Sequence, residues 1–138
     1  MQIAIINGPN LNLLGKREPE IYGTQTFEDY LEIMKNKFPG INFQYYQSNV
    51  EGELINEIQR VGFTVDGIII NPGGYTHTSV ALGDAIAAIK TPVVEVHISN
   101  IFGREDFRRI SHVSGKSVGV ISGLGLKGYA LAVEYFLK

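Results

Sequence analysis

The sequence predicts an α/β fold in three layers, a five-stranded parallel sheet with helices on both faces. The main observation is alternation: short apolar runs, typical of strands buried on both faces, take turns along the whole chain with stretches whose apolar residues recur every three or four positions. Parallel strands need crossover connections, and each amphipathic stretch is long enough to supply one. Length is the second observation. At 138 residues the chain is expected to form one domain over 1–138, with a core of its own. It falls far short of the ~250 residues that an eight-stranded α/β barrel requires.

Residues 2–7 (QIAIIN) form the first apolar run, ended by Gly8-Pro9. A polar loop follows to about Gly23. Loops of this length in a small domain are commonly functional, and the segment 11–23 is expected to be a mobile lid carrying Lys16, Arg17 and Tyr22. Thr26 with Asp29 forms a capping box, and Phe27, Tyr30, Leu31, Met34 and Phe38 keep helical spacing until Pro39-Gly40, which predicts a helix over about 26–38. Ile41, Phe43 and Tyr45 alternate with polar neighbours, the pattern of a strand near the sheet's edge, buried mainly on one face. Ser48 and Glu51 predict a second capping box, opening a helix over about 49–61 that ends at Gly62.

DGIIIN (66–71) reads as the third strand, followed by the turn Pro72-Gly73-Gly74 and an Ala-rich helix over about 77–89 that Pro92 closes. VVEVHI (93–98) repeats the strand pattern, and a short helix is expected over 105–110. SVGVIS (117–122) gives the fifth strand, and Leu126, Ala130, Val133 and Leu137 mark a final helix. Five strands connected in this way suit the flavodoxin-like order 2-1-3-4-5.

Composition narrows the chemistry. There is no Cys, which removes disulfides, thiolate nucleophiles and Cys-ligated metals, and only three His, which argues against a His-rich metal site. A net charge of -2 gives no footprint for nucleic acid. The N-terminus has no basic stretch before its apolar run, and no run approaches the ~18 apolar residues needed to cross a bilayer, so a cytoplasmic protein without a membrane partner is expected.

In an open parallel sheet, ligands bind beyond the carboxyl ends of the strands, near the switch point. Those positions hold Asn7 and Asn10, Asn71 with Gly73 and Gly74, Glu95 with His97, and Ser122. The set is polar and mostly uncharged, suited to a small hydroxyl-rich molecule. Glu95 and His97 lie two apart on one strand and share a face, so the carboxylate can orient the imidazole and support its charged form; a purely structural His–Glu arrangement would look the same. Tyr22 follows Lys16 and Arg17 closely, and nearby cations lower a phenol's pKa toward that of a usable base. A loop tyrosine can equally be a packing anchor. Arg104 and Arg108, four apart on the expected short helix, would share a face fit for a carboxylate, or simply be solvated. The segment 71–79 joins a strand to a helix and could hold an anion, but matches neither the Walker nor the dinucleotide pattern.

The motifs NGPNLNLLG (7–15), REPEIYG (17–23), NPGGYTHTS (71–79), EVHISN (95–100), REDFRRIS (104–111) and GLGLKGY (123–129) occur in order over essentially the whole chain. Together they resemble type II 3-dehydroquinate dehydratase, the small 3-dehydroquinase of shikimate and quinate metabolism. The resemblance implies a hydro-lyase that converts 3-dehydroquinate to 3-dehydroshikimate through an enolate. It implies Tyr22 as general base with Arg17 beside it, Asn10 acting on the enolate through a water, and His97, oriented by Glu95, as general acid. Asn71, Gly74, His77, Arg104, Arg108 and the backbone of Ile98 and Ser99 match substrate-binding positions, and Asp84 matches a residue reaching a neighbouring subunit's site. It further implies a homododecamer of four trimers and a mechanism with no cofactor, no metal and no Schiff base. The competing reading is a flavodoxin-like module that binds a small ligand or phosphate without catalysis; a receiver of that kind would want acidic residues where this chain has Asn7 and Asn71.

Overall fold

The computed structural model describes residues 1–16 and 19–137, with residues 21 and 22 described by backbone alone. The strands are β1 (Gln2–Asn7), β2 (Asn42–Gln47), β3 (Gly67–Asn71), β4 (Val93–His97) and β5 (Gly119–Ser122). All pairings are parallel, and the order is β2-β1-β3-β4-β5, as the sequence predicts. The helices are α1 (Pro19–Tyr22), α2 (Phe27–Lys37), α3 (Glu51–Val61), α4 (Val80–Ala88) and α5 (Lys127–Leu137).

The period of two along each strand divides the core. Ile3, Ile5, Ile69, Val94 and Val96 pack with Phe27, Leu31 and Met34 of α2 and with Tyr129, Val133 and Phe136 of α5. Ala4, Ile6, Ile68, Ile70 and Val93 pack with Leu54 and Ile58 of α3 and with Leu82 and Ile86 of α4. The alternation continues to the strand ends. Asn7 follows Ile3 and Ile5 toward the α2–α5 layer, and Asn71 follows Ile69 to the same side. Glu95 and His97 follow Val93 toward the α3–α4 layer. Asn7 and Asn71 are register partners on the two strands that flank the switch point.

Several boundaries differ from the expectation, each for a local reason. The Thr26–Asp29 capping box forms. The Ser48–Glu51 box does not: Ser48 lies two residues ahead of the helix cap, accepts from Val50 N at 2.9 Å and donates to Glu53 instead. β2 is at the edge, but residues 43–47 are all partly covered rather than alternating, because Phe43 and Tyr45 meet one core layer and Tyr46 the other. The helix expected over 77–89 starts later, as α4 at Val80, because Ser79 caps it by accepting from Leu82 N at 3.0 Å, and the turn before it is a 3-10 turn over Gly73–His77. Residues 105–110 form a 3-10 turn over Asp106–Arg109 rather than an α-helix. The segment 11–23, expected as a loop, carries a 3-10 turn at Leu11–Leu13 and the single turn α1. Among the described residues no helix is long and apolar enough to cross a membrane.

Two glycines bring the β1 and β3 turns together. A Cβ on Gly8 would sit 2.5 Å from Pro72 O, and Gly73 holds a left-handed φ of 61° against Pro9. Ile69, fully buried at the centre of the sheet, tests the core. Ile69→Ala is expected to lower unfolding free energy by about 2–5 kcal/mol in urea titrations, and a loss under ~1 kcal/mol would show that the two-layer packing is looser than described.

Candidate active site

A cavity of about 220 Å³ opens beyond the carboxyl ends of β3 and β4. One wall is the segment after β1, Pro9 to Leu14; another is the Gly73–His77 turn; the far side is the chain from His97 to Arg108. Asn10 stands in this wall with a left-handed φ of 72°. Its N–H donates to Asn49 Oδ1 at 3.0 Å, while Gln47 Nε2 donates to Gly8 O at 3.1 Å, so the end of β2 anchors the turn. Gly74 also lines the cavity, and a Cβ there would meet no protein atom within 4 Å. A side chain at this position would take up ligand space.

Behind the cavity lies a buried acid–base pair. His97 Nε2 donates to Glu95 Oε2, and the two side chains are only 5% and 0% exposed. Thr76 Oγ1 donates to the same carboxylate oxygen at 2.8 Å, and Ser114 Oγ donates to Oε1. Burial alone would push this carboxyl up. The hydrogen bonds from His97, Ser114 and Thr76, with the attraction of a charged His97, outweigh burial and hold Glu95 below the usual carboxylate range. Glu95 is therefore an acceptor at neutral pH. It keeps a proton on His97 Nε2, and Nδ1 is the ring nitrogen left for other work.

His77 stacks near His97 with ring centroids 6.4 Å apart. Its Nδ1 bonds the carbonyl of Ile110 at 2.7 Å, which places the proton on Nδ1 and leaves Nε2 as the free nitrogen. Among the described residues, Arg104 and Arg108 bring positive charge to the cavity wall. Arg104 Nη1 donates to Ser99 Oγ at 3.3 Å, and both guanidinium groups reach Glu105. With Arg108 foremost, they hold the Glu105 carboxyl below its ordinary value. On the α5 side, Asn71 Nδ2 donates to Tyr129 Oη at 3.0 Å, and Tyr129 Oη donates to Asn7 Oδ1 at 2.8 Å. Burial pushes the Tyr129 phenol far up, so it stays protonated. Among the described residues, no three His, Asp or Glu side chains gather as metal ligands would.

The sequence model of the dehydroquinase class II family matches residues 1–137. The chain belongs to that family. A 3-dehydroquinate dehydratase of Fusobacterium nucleatum is 53% identical over 143 aligned positions, covering 100% of this chain and 97% of that protein. A type II dehydroquinase structure from Butyrivibrio crossotus superposes with a TM-score of 0.92 at 48% identity, covering 100% of this chain and 98% of that one. A second, from Propionibacterium acnes, gives 0.88 at 40% identity, with 97% and 94% covered.

Of the residues singled out in the sequence, the fold brings Asn10, Asn71, Gly74, His77, His97, Ile98, Ser99, Arg104 and Arg108 to one cavity, with Glu95 hydrogen-bonded to His97. Arg104 and Arg108 converge without the expected helix: Arg104 is in extended backbone, and Glu105 between them draws both in. Asp84 is exposed on α4, outside the cavity lining. Arg17 and the side chain of Tyr22 lie outside the described residues. Sequence reasoning missed Thr76, Ser114 and Tyr129. Thr76 and Tyr129 stand inside motifs already noted; Ser114 has no local signal, since only the fold brings it to Glu95.

The depressed Glu95 value has a consequence for stability. A carboxyl held low in the folded state stabilises the protein above its unfolded value, near 4.5, and that contribution disappears as pH falls through the lower folded value. Glu95→Gln is expected to flatten this part of the acid-side fall when denaturation midpoints are followed from pH 7 to 3. Parallel curves for the two proteins would contradict the assignment.

Proposed function

We propose that this chain dehydrates 3-dehydroquinate to 3-dehydroshikimate, with Tyr22 as general base and His97 as general acid. The carrying observation is the buried Glu95–His97 pair at the edge of a cavity that also holds amide and guanidinium groups. Family membership supplies the reaction class, a hydro-lyase, and its relatives' names supply the substrate. In the first step the C–H bond alpha to the ketone breaks, its proton passes to the Tyr22 phenolate, and its electron pair forms an enolate. Arg17 favours that phenolate by its charge. Asn10, through a water, offers a donor to the developing oxyanion. In the second step the enolate's electrons return as the beta C–O bond breaks. Hydroxide is a poor leaving group, so His97 gives it a proton and water departs.

Glu95 is suited to this role because, as an acceptor on Nε2, it holds the ring in one orientation with Nδ1 turned to other work. The substrate carboxylate fits near the backbone of Ile98 and Ser99 with Arg108 and Arg104 at hand, and its hydroxyls fit Asn71 and His77. The segment 11–23 acts as the lid that brings Tyr22 over the ring. We also infer a cytoplasmic homododecamer of four trimers, in which the exposed Asp84 completes a neighbour's site.

Mixing the purified protein with 3-dehydroquinate is expected to raise the ultraviolet band of a conjugated enone; a flat trace from folded protein would favour a binding module. In the same assay Tyr22→Phe and His97→Ala should each lower kcat by about 10²–10⁴-fold. Variants that keep most of the rate would remove these two residues from their roles. Light scattering should report twelve times the 15.2 kDa chain mass, and a monomer with full activity would exclude a site shared between subunits.

A further inference from the structure

Asn71 presents a primary amide to the cavity, and an amide has nearly the same shape either way round. Which end carries the donor is decided by its partners. At one end the Gly73 N–H donates to Asn71 Oδ1 at 3.1 Å. At the other, Asn71 Nδ2 meets Tyr129 Oη at 3.0 Å. Tyr129 is fully buried on α5 and is not part of the cavity lining. Its single proton is committed to Asn7 Oδ1 at 2.8 Å, so its oxygen can only accept from Asn71. Asn7 is fully buried too, and its Nδ2 reaches Tyr45 Oη at 3.5 Å.

We infer that Tyr129 is a positioning residue for the reaction: its phenol, held by Asn7, fixes the direction of the Asn71 amide and so the hydrogen-bonding pattern offered to substrate. The relay spans the two strands at the switch point, from Asn7 at the end of β1 to Asn71 at the end of β3. With both ends engaged, Asn71 keeps one N–H and one lone pair for a ligand. That pattern fits a hydroxyl, which both accepts and donates. Without the phenol's oxygen the amide is held at one end only, and a share of molecules would offer a ligand the wrong group.

This inference rests on Asn71 being a substrate contact, so the experiment is a double-mutant cycle that examines that point separately. Steady-state KM and kcat for 3-dehydroquinate are measured for the wild type, Tyr129→Phe, Asn71→Ala and the double variant. Circular dichroism melts fix a temperature at which all four are folded. Tyr129→Phe is expected to raise KM roughly five- to tenfold, about the worth of one hydrogen bond, with a smaller change in kcat. In the Asn71→Ala background the same change should leave KM where it was. An equal rise in both backgrounds would mean general loosening of the core, and an unchanged KM in the wild-type background would mean that the amide needs no phenol; either overturns the inference. If Asn71→Ala alone leaves KM untouched, Asn71 is not a substrate contact, and the relay falls with that reading while the acid–base assignment stands. Should Tyr129→Phe fail to fold, Asn7→Ala keeps the phenol but frees its proton to donate to Asn71. The same KM rise, absent in the Asn71→Ala background, is then expected, and its failure to appear would overturn the inference equally.

Discussion

The Glu95–His97 pair is the constraint on which the rest of the site depends. A carboxylate with no exposure to solvent is costly unless its charge is met by hydrogen bonds, and Glu95 has donors from three separate segments: His97 on its own strand, Thr76 from the turn after β3, and Ser114 from the turn before β5. Each donor stabilises the charge, and Thr76 and Ser114 fasten two connections to the end of β4. The polar cluster therefore does two things at once: it orients the His97 ring at the cavity's edge, and it ties two turns to the strand that carries it.

The sheet's alternation explains why the site needs both faces of the fold. The acid–base pair rises from the α3–α4 side and the amide pair from the α2–α5 side, and they meet only where the strands end. A one-residue slip in β3 or β4 would send Asn71 or His97 to the opposite layer. Both strands are buried along their full length, so their register is well determined by packing. The precision of the site is thus inherited from the core.

Much of this was legible in the residues. The strand order followed from alternating apolar runs, because buried parallel strands have a distinctive composition, and the site residues followed from their places just after strands. Local hydrogen bonding was harder to read. Ser48 matched a capping pattern yet serves Glu53, and Ser79, not an earlier residue, sets the start of α4. Ser114 had no local signal, and the GLGLKGY motif that holds Tyr129 did not disclose its role, for a different reason: their partners lie 19 and 58 or more positions away, and only tertiary packing selects them. Spacing brought Arg104 and Arg108 together on a helix that does not form, and the convergence survives because Glu105 draws in both side chains.

The central claim is that Glu95 stays ionised and keeps the proton on His97 Nε2. Nitrogen-15 spectra of the His97 ring, recorded across neutral pH with the side chain assigned, test it directly. A protonated, strongly hydrogen-bonded Nε2 is expected throughout. A neutral ring protonated on Nδ1 with a bare Nε2 would contradict it.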